Sequence, residues 1–140
     1  MMNVIRNNDD INAFLSFNAG FHDSCIVSVN YVSGNYVGSD GGMYCAAEDE
    51  HILKIVFHSQ WCKNFELVFT GVRKFSVVGW RKDYFCDILD SFLSFVRNED
   101  GEELILWADN EYFSPDIQDK PFSQNDTYVI AKGLMWRIIE

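Results

Sequence analysis

Beyond Gly20 the apolar residues of this chain recur at every second position, and that period rules out most architectures. Cys25, Val27, Val29 and Tyr31 alternate with Ser28 and Asn30. Leu53, Ile55 and Phe57 alternate with Lys54 and His58, and Phe65, Leu67 and Phe69 with Glu66 and Thr70. Successive side chains of a strand point to opposite faces, so each run predicts a half-buried strand. Phe75 and Val77 carry the last pattern past Gly71, across a bulge. Turn residues fill 33–35 and 38–42, with a short strand between them or just after, over 44–47. Residues 87–97 fit a helical face through Ile88, Leu89, Phe92 and Phe95, and a strand through Leu93, Phe95 and Val96. The turn Asn98-Glu99-Asp100-Gly101 and the apolar run behind it decide for a hairpin of Phe92–Arg97 with Glu103–Ala108. Residues 111–125 hold two prolines and little periodicity, which predicts a long loop. Residues 128–139 close the chain as a strand with two apolar faces, Gly133 marking a bulge or a close approach.

Outside the ambiguous 87–97 stretch, only the start of the chain has a helical period. Ile11, Phe14 and Leu15 make one apolar stripe, Asp9 or Asp10 supplies the cap, and Gly20 is the natural stop. A helix of about ten residues does not stand alone and must dock. No strand–helix alternation exists, so a doubly wound parallel sheet is excluded. The expected fold is α+β and mainly antiparallel β: a sandwich or curved sheet of about seven strands, with one short N-terminal helix over a face or end. The 140 residues form a single domain, 1–140, and a chain of this size buries about two-thirds of its unfolded surface. Hydrophobic residues at 48% and aromatics at 16% exclude a disordered chain.

The charge balance excludes further classes. Lys and Arg number 11 against 21 Asp and Glu, a formal net charge of −10, which repels a phosphate backbone or an anionic membrane. No apolar run is longer than the five residues of 43–47, far short of the roughly 20 residues of a spanning helix. The polar N-terminus has no apolar signal region, so the expected location is cytoplasmic, with Cys25, Cys45, Cys62 and Cys86 reduced. Cys25 and Cys45 read as small core residues, and Trp61, Trp80 and Trp136 as core or edge-packing residues. No C-x-x-C pair, P-loop or EF-hand pattern is present, and no cofactor or metal is expected.

The acids concentrate in 98–126: Glu99, Asp100, Glu102, Glu103, Asp109, Glu111, Asp116, Asp119 and Asp126 against Lys120 alone. Carboxylates this dense repel one another, and a cationic partner relieves that repulsion and is steered by the field. Trp107, Tyr112 and Phe113 lie among them, and aromatic anchors inside a charged rim suit a protein interface. The candidate partner-binding residues are therefore Glu99, Asp100, Glu102, Glu103, Trp107, Asp109, Glu111 and Tyr112, and the partner a basic protein. A solvated loop region that only maintains solubility is the plainer reading.

His22 and Asp23 sit where helix gives way to strand. Neighbours in a strand face opposite ways, so the two are poorly placed to pair. No G-x-S-x-G elbow or second His at i+4 accompanies them. They read as structural, Asp23 capping turn N–H groups and His22 bonding a carbonyl across the core. His51 and His58 read as ordinary strand residues.

The run Gly20-Phe21-His22-Asp23-Ser24, leading straight into an alternating strand, resembles the opening of immunity-type proteins of bacterial polymorphic toxin systems. Leu106-Trp107-Ala108-Asp109 and Leu134-Met135-Trp136-Arg137-Ile138 look like the tail of such sequences. The resemblance implies a cytoplasmic, non-enzymatic binder that neutralises a toxin domain, and it carries over no catalytic residue. Two other functions stand beside it: a small-ligand-binding or enzymatic domain using His22 and Asp23, and a structural homo-oligomeric module suggested by the aromatic excess.

Overall fold

A side-chain cap starts the helix. Asn7 Oδ1 accepts from the Asp10 amide at 2.9 Å, so the cap of α1 (Asn8–Phe17) is Asn7 rather than Asp9 or Asp10, which fill its first turn. Ile11 and Phe14 are its buried residues. The computed structural model describes residues 1–80, 82–83, 85–113 and 126–140; most of the long loop expected over 111–125 lies outside them.

The longer strands lie where the alternation puts them, but the single face expected of Cys25, Val27, Val29 and Tyr31 is broken by a bulge between Ile26 and Ser28, so Ile26 and Val29 pack on the core and Val27 is exposed. The strands are β1 (Asn3–Ile5), β2 (Ser24–Val32), β3 (Tyr36–Val37), β4 (Met43–Tyr44), β5 (Ile52–Ser59), β6 (Phe65–Ser76), β7 (Phe92–Arg97), β8 (Glu103–Ala108) and β9 (Tyr128–Ile138). Seven of them form one antiparallel sheet in the order β2-β5-β6-β9-β8-β7, with β1 paired to β9. The expected bulge beyond Gly71 is present, as a register shift between Val72 and Lys74. Gly133 is a close approach: a Cβ there would lie 2.8 Å from Thr70 Oγ1. The hairpin of β7 and β8 pairs Phe92 with Ala108 and Arg97 with Glu103. Among the described residues β3 and β4 pair only with each other. No helix among the described residues is long and apolar enough to cross a membrane.

The sheet is strongly curled. β5 and β8 are separated by two strands, about 14 Å in a flat sheet, yet the rings of Phe57 and Trp107 meet at 5.5 Å. Inside the curl Phe14, Phe21, Phe57, Phe65 and Trp107 are fully buried. Phe14 meets Phe21 and Phe65 edge-on at 5.4 and 5.6 Å and stacks on Trp136 at 4.6 Å, which docks the helix into the mouth of the curl. Burying each large apolar side chain contributes roughly 1.5–3 kcal/mol. A second cluster of Leu104, Leu106, Ala108, Phe113, Tyr128 and Ile130 lies on the other face of β8 and β9.

The sheet does not close into a barrel. Among the described residues its two edges approach through a single antiparallel bridge between Ser24, at the start of β2, and Ile88, just ahead of β7. Residues 87–91 are thus neither the helix nor the strand that their apolar pattern allows.

Candidate functional site

The turn that makes this bridge is Gly20-Phe21-His22-Asp23-Ser24. Ala19, Gly20, Phe21 and Asp23 all have φ between 54° and 67°, a left-handed conformation that L side chains rarely adopt. Core packing holds Phe21 there: its ring contacts Phe14, Phe57, Phe65 and Trp107. The turn then hydrogen-bonds outwards. The Asp23 amide donates to the Ile88 carbonyl at 2.9 Å, and the Ile88 amide to the Ser24 carbonyl at 2.8 Å. The Ser91 amide donates to the Gly20 carbonyl, and the Gln60 amide to the Asp23 carbonyl.

His22 and Asp23 complete this clasp, and the expectation that they do not pair is corrected. The left-handed Asp23 is not a strand residue, and its Oδ2 lies 3.4 Å from His22 Nε2. The same oxygen accepts from Trp61 Nε1 at 2.7 Å. His22 Nδ1 donates to the Leu89 carbonyl, at the surface rather than across the core. That carbonyl, and then Asp23, Asp90 and Asp87, raise the His22 pKa against a smaller opposing effect of burial. Nδ1 thus ties His22 to residues 87–91, while Nε2 faces Asp23 within the turn itself. His51 stands just before β5, with Tyr31 Oη at 2.9 Å from its Nδ1.

The structure divides the predicted acidic surface into two parts. Glu99 and Asp100 occupy the tip of the β7–β8 hairpin. Beside them Glu102 is already neutralised within the chain: Arg73 Nη1 and Nη2 donate to it at 2.9 and 2.6 Å, and Lys132 Nζ lies at 3.5 Å. The Arg73 bonds lead, with Lys132 adding, in holding the Glu102 carboxyl down at about 2. Glu103 faces Arg97 Nη2 at 3.8 Å. Trp107 is no surface anchor. It is 0% exposed, because Ile105 and Trp107 point into the curl while Leu104, Leu106 and Ala108 take the other face. Phe113 and Asp126 are buried as well, and Asp116, Asp119 and Lys120 lie outside the described residues.

The second part is a groove of about 600 Å³ along the bridged edges of the sheet. Asp109, Glu111 and Tyr112 line it, as the charge run predicts. Asp87 and Asp90 join them from a stretch whose net charge is positive, so counting along the chain missed these two. Phe85 and Leu89 flank them, and Phe85 and Tyr112 are each 83% exposed. Val27 from β2 and Val77 beyond β6 complete the apolar lining. No Lys or Arg lines the groove among the described residues. A hydrogen bond to the Glu111 carboxylate raises the Tyr112 pKa, with the charge of Glu111, burial and Asp90 adding to it. The only sequence cue to Asp87, Leu89 and Asp90 is the ambiguity of the 87–97 pattern, and Phe85 has none. A segment that fits both helix and strand is here an irregular one whose side chains face a groove.

Three further readings are corrected. Trp61 and Trp80 are exposed, Trp61 turning its indole N–H to Asp23. Cys45 is exposed in the β3–β4 region rather than in the core. Cys25 is half-buried, and burial, followed by the neighbouring Cys86 thiol, raises its pKa. Compared with protein-family models, with curated proteins and with solved structures, the chain matches none.

Proposed function

We propose that the chain is a non-enzymatic, immunity-type binding protein that acts in the cytoplasm and takes a basic protein, such as a toxin domain, into its acidic groove. The observation that carries this reading is the groove itself: Asp87, Asp90, Asp109 and Glu111 share one lining with exposed Phe85, Leu89 and Tyr112, with no base among the described lining residues. Apolar side chains supply contact area, and carboxylates supply steering and register. The site shifts from the β7–β8 hairpin, where Arg73 and Lys132 already answer Glu102 and Arg97 answers Glu103, to the bridged edges of the sheet. The Gly20–Ser24 clasp supports the reading as the scaffold that holds Asp87 to Asp90 against β2.

The test is calorimetric titration with the purified product of the adjacent gene. The triple variant Asp87→Lys/Asp90→Lys/Glu111→Lys should weaken binding at least ~10-fold at low salt and flatten its salt dependence. Glu99→Lys/Asp100→Lys should change it by less than ~3-fold, as rim charges do. Absence of binding by the wild-type chain, or equal affinity and salt slope in the triple variant, overturns the proposal.

A further inference from the structure

Two of the four cysteines meet where the edges of the sheet meet. Cys25 follows Ser24 in β2, and Cys86 stands two places ahead of Ile88, the bridge partner of Ser24. The Cys25 thiol donates a hydrogen bond to the Cys86 sulfur, and neither cysteine is in a disulfide. Cys86 is exposed and lines the groove beside Ile26 and Asp87, while Cys25 is half-buried. Their backbones differ. Cys25 is fixed in the β2–β5 ladder opposite His58, whose main chain also hydrogen-bonds the Cys25 sulfur. Residues 85–87 belong to no helix or strand. A disulfide demands a close approach and a particular torsion. One fixed and one adaptable backbone meet that demand without bending the sheet.

We propose that Cys25 and Cys86 are a redox pair, which a neutral peroxide converts into a disulfide joining β2 covalently to the segment ahead of β7. Exposed Cys86 meets the oxidant first. Its thiolate attacks one oxygen of hydrogen peroxide, the O–O bond breaks, and the hydroxide released takes up a proton to become water. The product is the Cys86 sulfenic acid. Burial raises the Cys25 pKa, so Cys25 waits as a thiol and resolves rather than attacks first. Its sulfur then displaces the sulfenic hydroxyl: the S–S bond forms, the S–O bond breaks, and the Cys25 proton leaves with that hydroxyl as water. Two thiols and one peroxide thus give one disulfide and two waters. Charge selects the oxidant, because Asp87, Asp90, Asp109 and Glu111 repel an anionic disulfide such as oxidised glutathione and leave a neutral peroxide unhindered. The cross-link would reinforce two main-chain bonds, Ile88 amide to Ser24 carbonyl at 2.8 Å and Asp23 amide to Ile88 carbonyl at 2.9 Å. It also encloses β3 to β6 in one covalent loop, which restricts the unfolded chain. Exposure on the Cys86 side leaves it open to thiol reductants, so the change is reversible. The inference does not depend on what the groove binds.

The test treats the whole reduced chain with hydrogen peroxide, as wild type and as Cys45→Ser, which removes the other exposed thiol. Peptide mapping after alkylation should find Cys25 joined to Cys86 in both, and oxidised Cys45→Ser should be about 2 Da lighter than its reduced form. The urea midpoint of the oxidised chain should rise by about 1 M or more and fall back on reduction with dithiothreitol. Cys86→Ser, a change at an exposed position, should fold as wild type and show neither the cross-link nor the rise. Cys25 and Cys86 that remain open to alkylation overturn the proposal. So does a bridge from either to Cys62 or to a second chain, or a Cys25–Cys86 disulfide that leaves the urea midpoint unchanged or lower.

Discussion

His22 shows how one residue acquires a role from the backbone around it. In a strand it would turn away from Asp23; in a left-handed turn it meets Asp23 on one side and the Leu89 carbonyl on the other. Its pKa is raised above the ordinary 6.5, chiefly by that carbonyl and then by Asp23, so the folded chain favours the imidazolium. The stability this adds is complete below pH 6.5 and is lost as pH rises through the higher folded value. Wild type should therefore lose more stability than His22→Gln between about pH 6 and pH 9, read as urea midpoints across that range. Parallel curves for the two proteins would remove His22 from the clasp. The residues of this turn are plain in the sequence, but their contacts are not. They depend on Phe21 taking a positive φ to reach Phe57, Phe65 and Trp107, and no local pattern announces that.

Among the elements, β6 bears the most geometric constraint. It pairs with β5 on one side and β9 on the other, and Gly71 lies at φ +64°, where a Cβ would come within 2.7 Å of Lys132 Cβ. Gly101, at the β7–β8 turn, has φ +76° and open space around it. Both replacements by alanine meet backbone strain, but only the first forces the neighbouring strand to move. Gly101→Ala should cost about 1 kcal/mol and Gly71→Ala about 2 kcal/mol or more in urea unfolding, with m unchanged. Equal costs would show that β9 yields freely. Strands long enough to alternate were legible: β2, β5, β6, the β7–β8 hairpin and β9 all stand where the period of two puts them. β1 has three residues, and β3 and β4 two each, too few for a period to declare itself. Which edges meet is a property of curvature, so the groove between them was visible only as scattered acids and an undecided segment.

Across the described residues, several of the few cations are spent inside the chain. Arg73 joins β6 to the Glu48 turn and to the β7–β8 hairpin, with Glu48 at 2.8 Å and Glu102 at 2.6 Å; Arg137 of β9 holds Glu66 of β6 at 2.9 Å. These pairs span strands, so the excess of carboxylates is left to the surfaces they do not serve, the groove among them. Glu102 sits at about 2 against an ordinary 4.5, so the Arg73 network contributes fully above pH 4.5 and drains away as pH falls towards about 2. Arg73→Met should be less stable than wild type at neutral pH, and the gap should narrow steadily below pH 4.5. A gap that stays constant down to acid pH would mean that Arg73 acts through its aliphatic stem alone.

The join between Ser24 and Ile88 has one more consequence. A wall closed by one short clasp rather than by a full strand ladder opens there before it opens anywhere else, because fewer bonds must break together. The groove lies astride that stitch, with Val27 on one bank and Asp87 and Leu89 on the other. Any guest that grips both banks acts as a suture, so filling the groove and sealing the wall are one equilibrium.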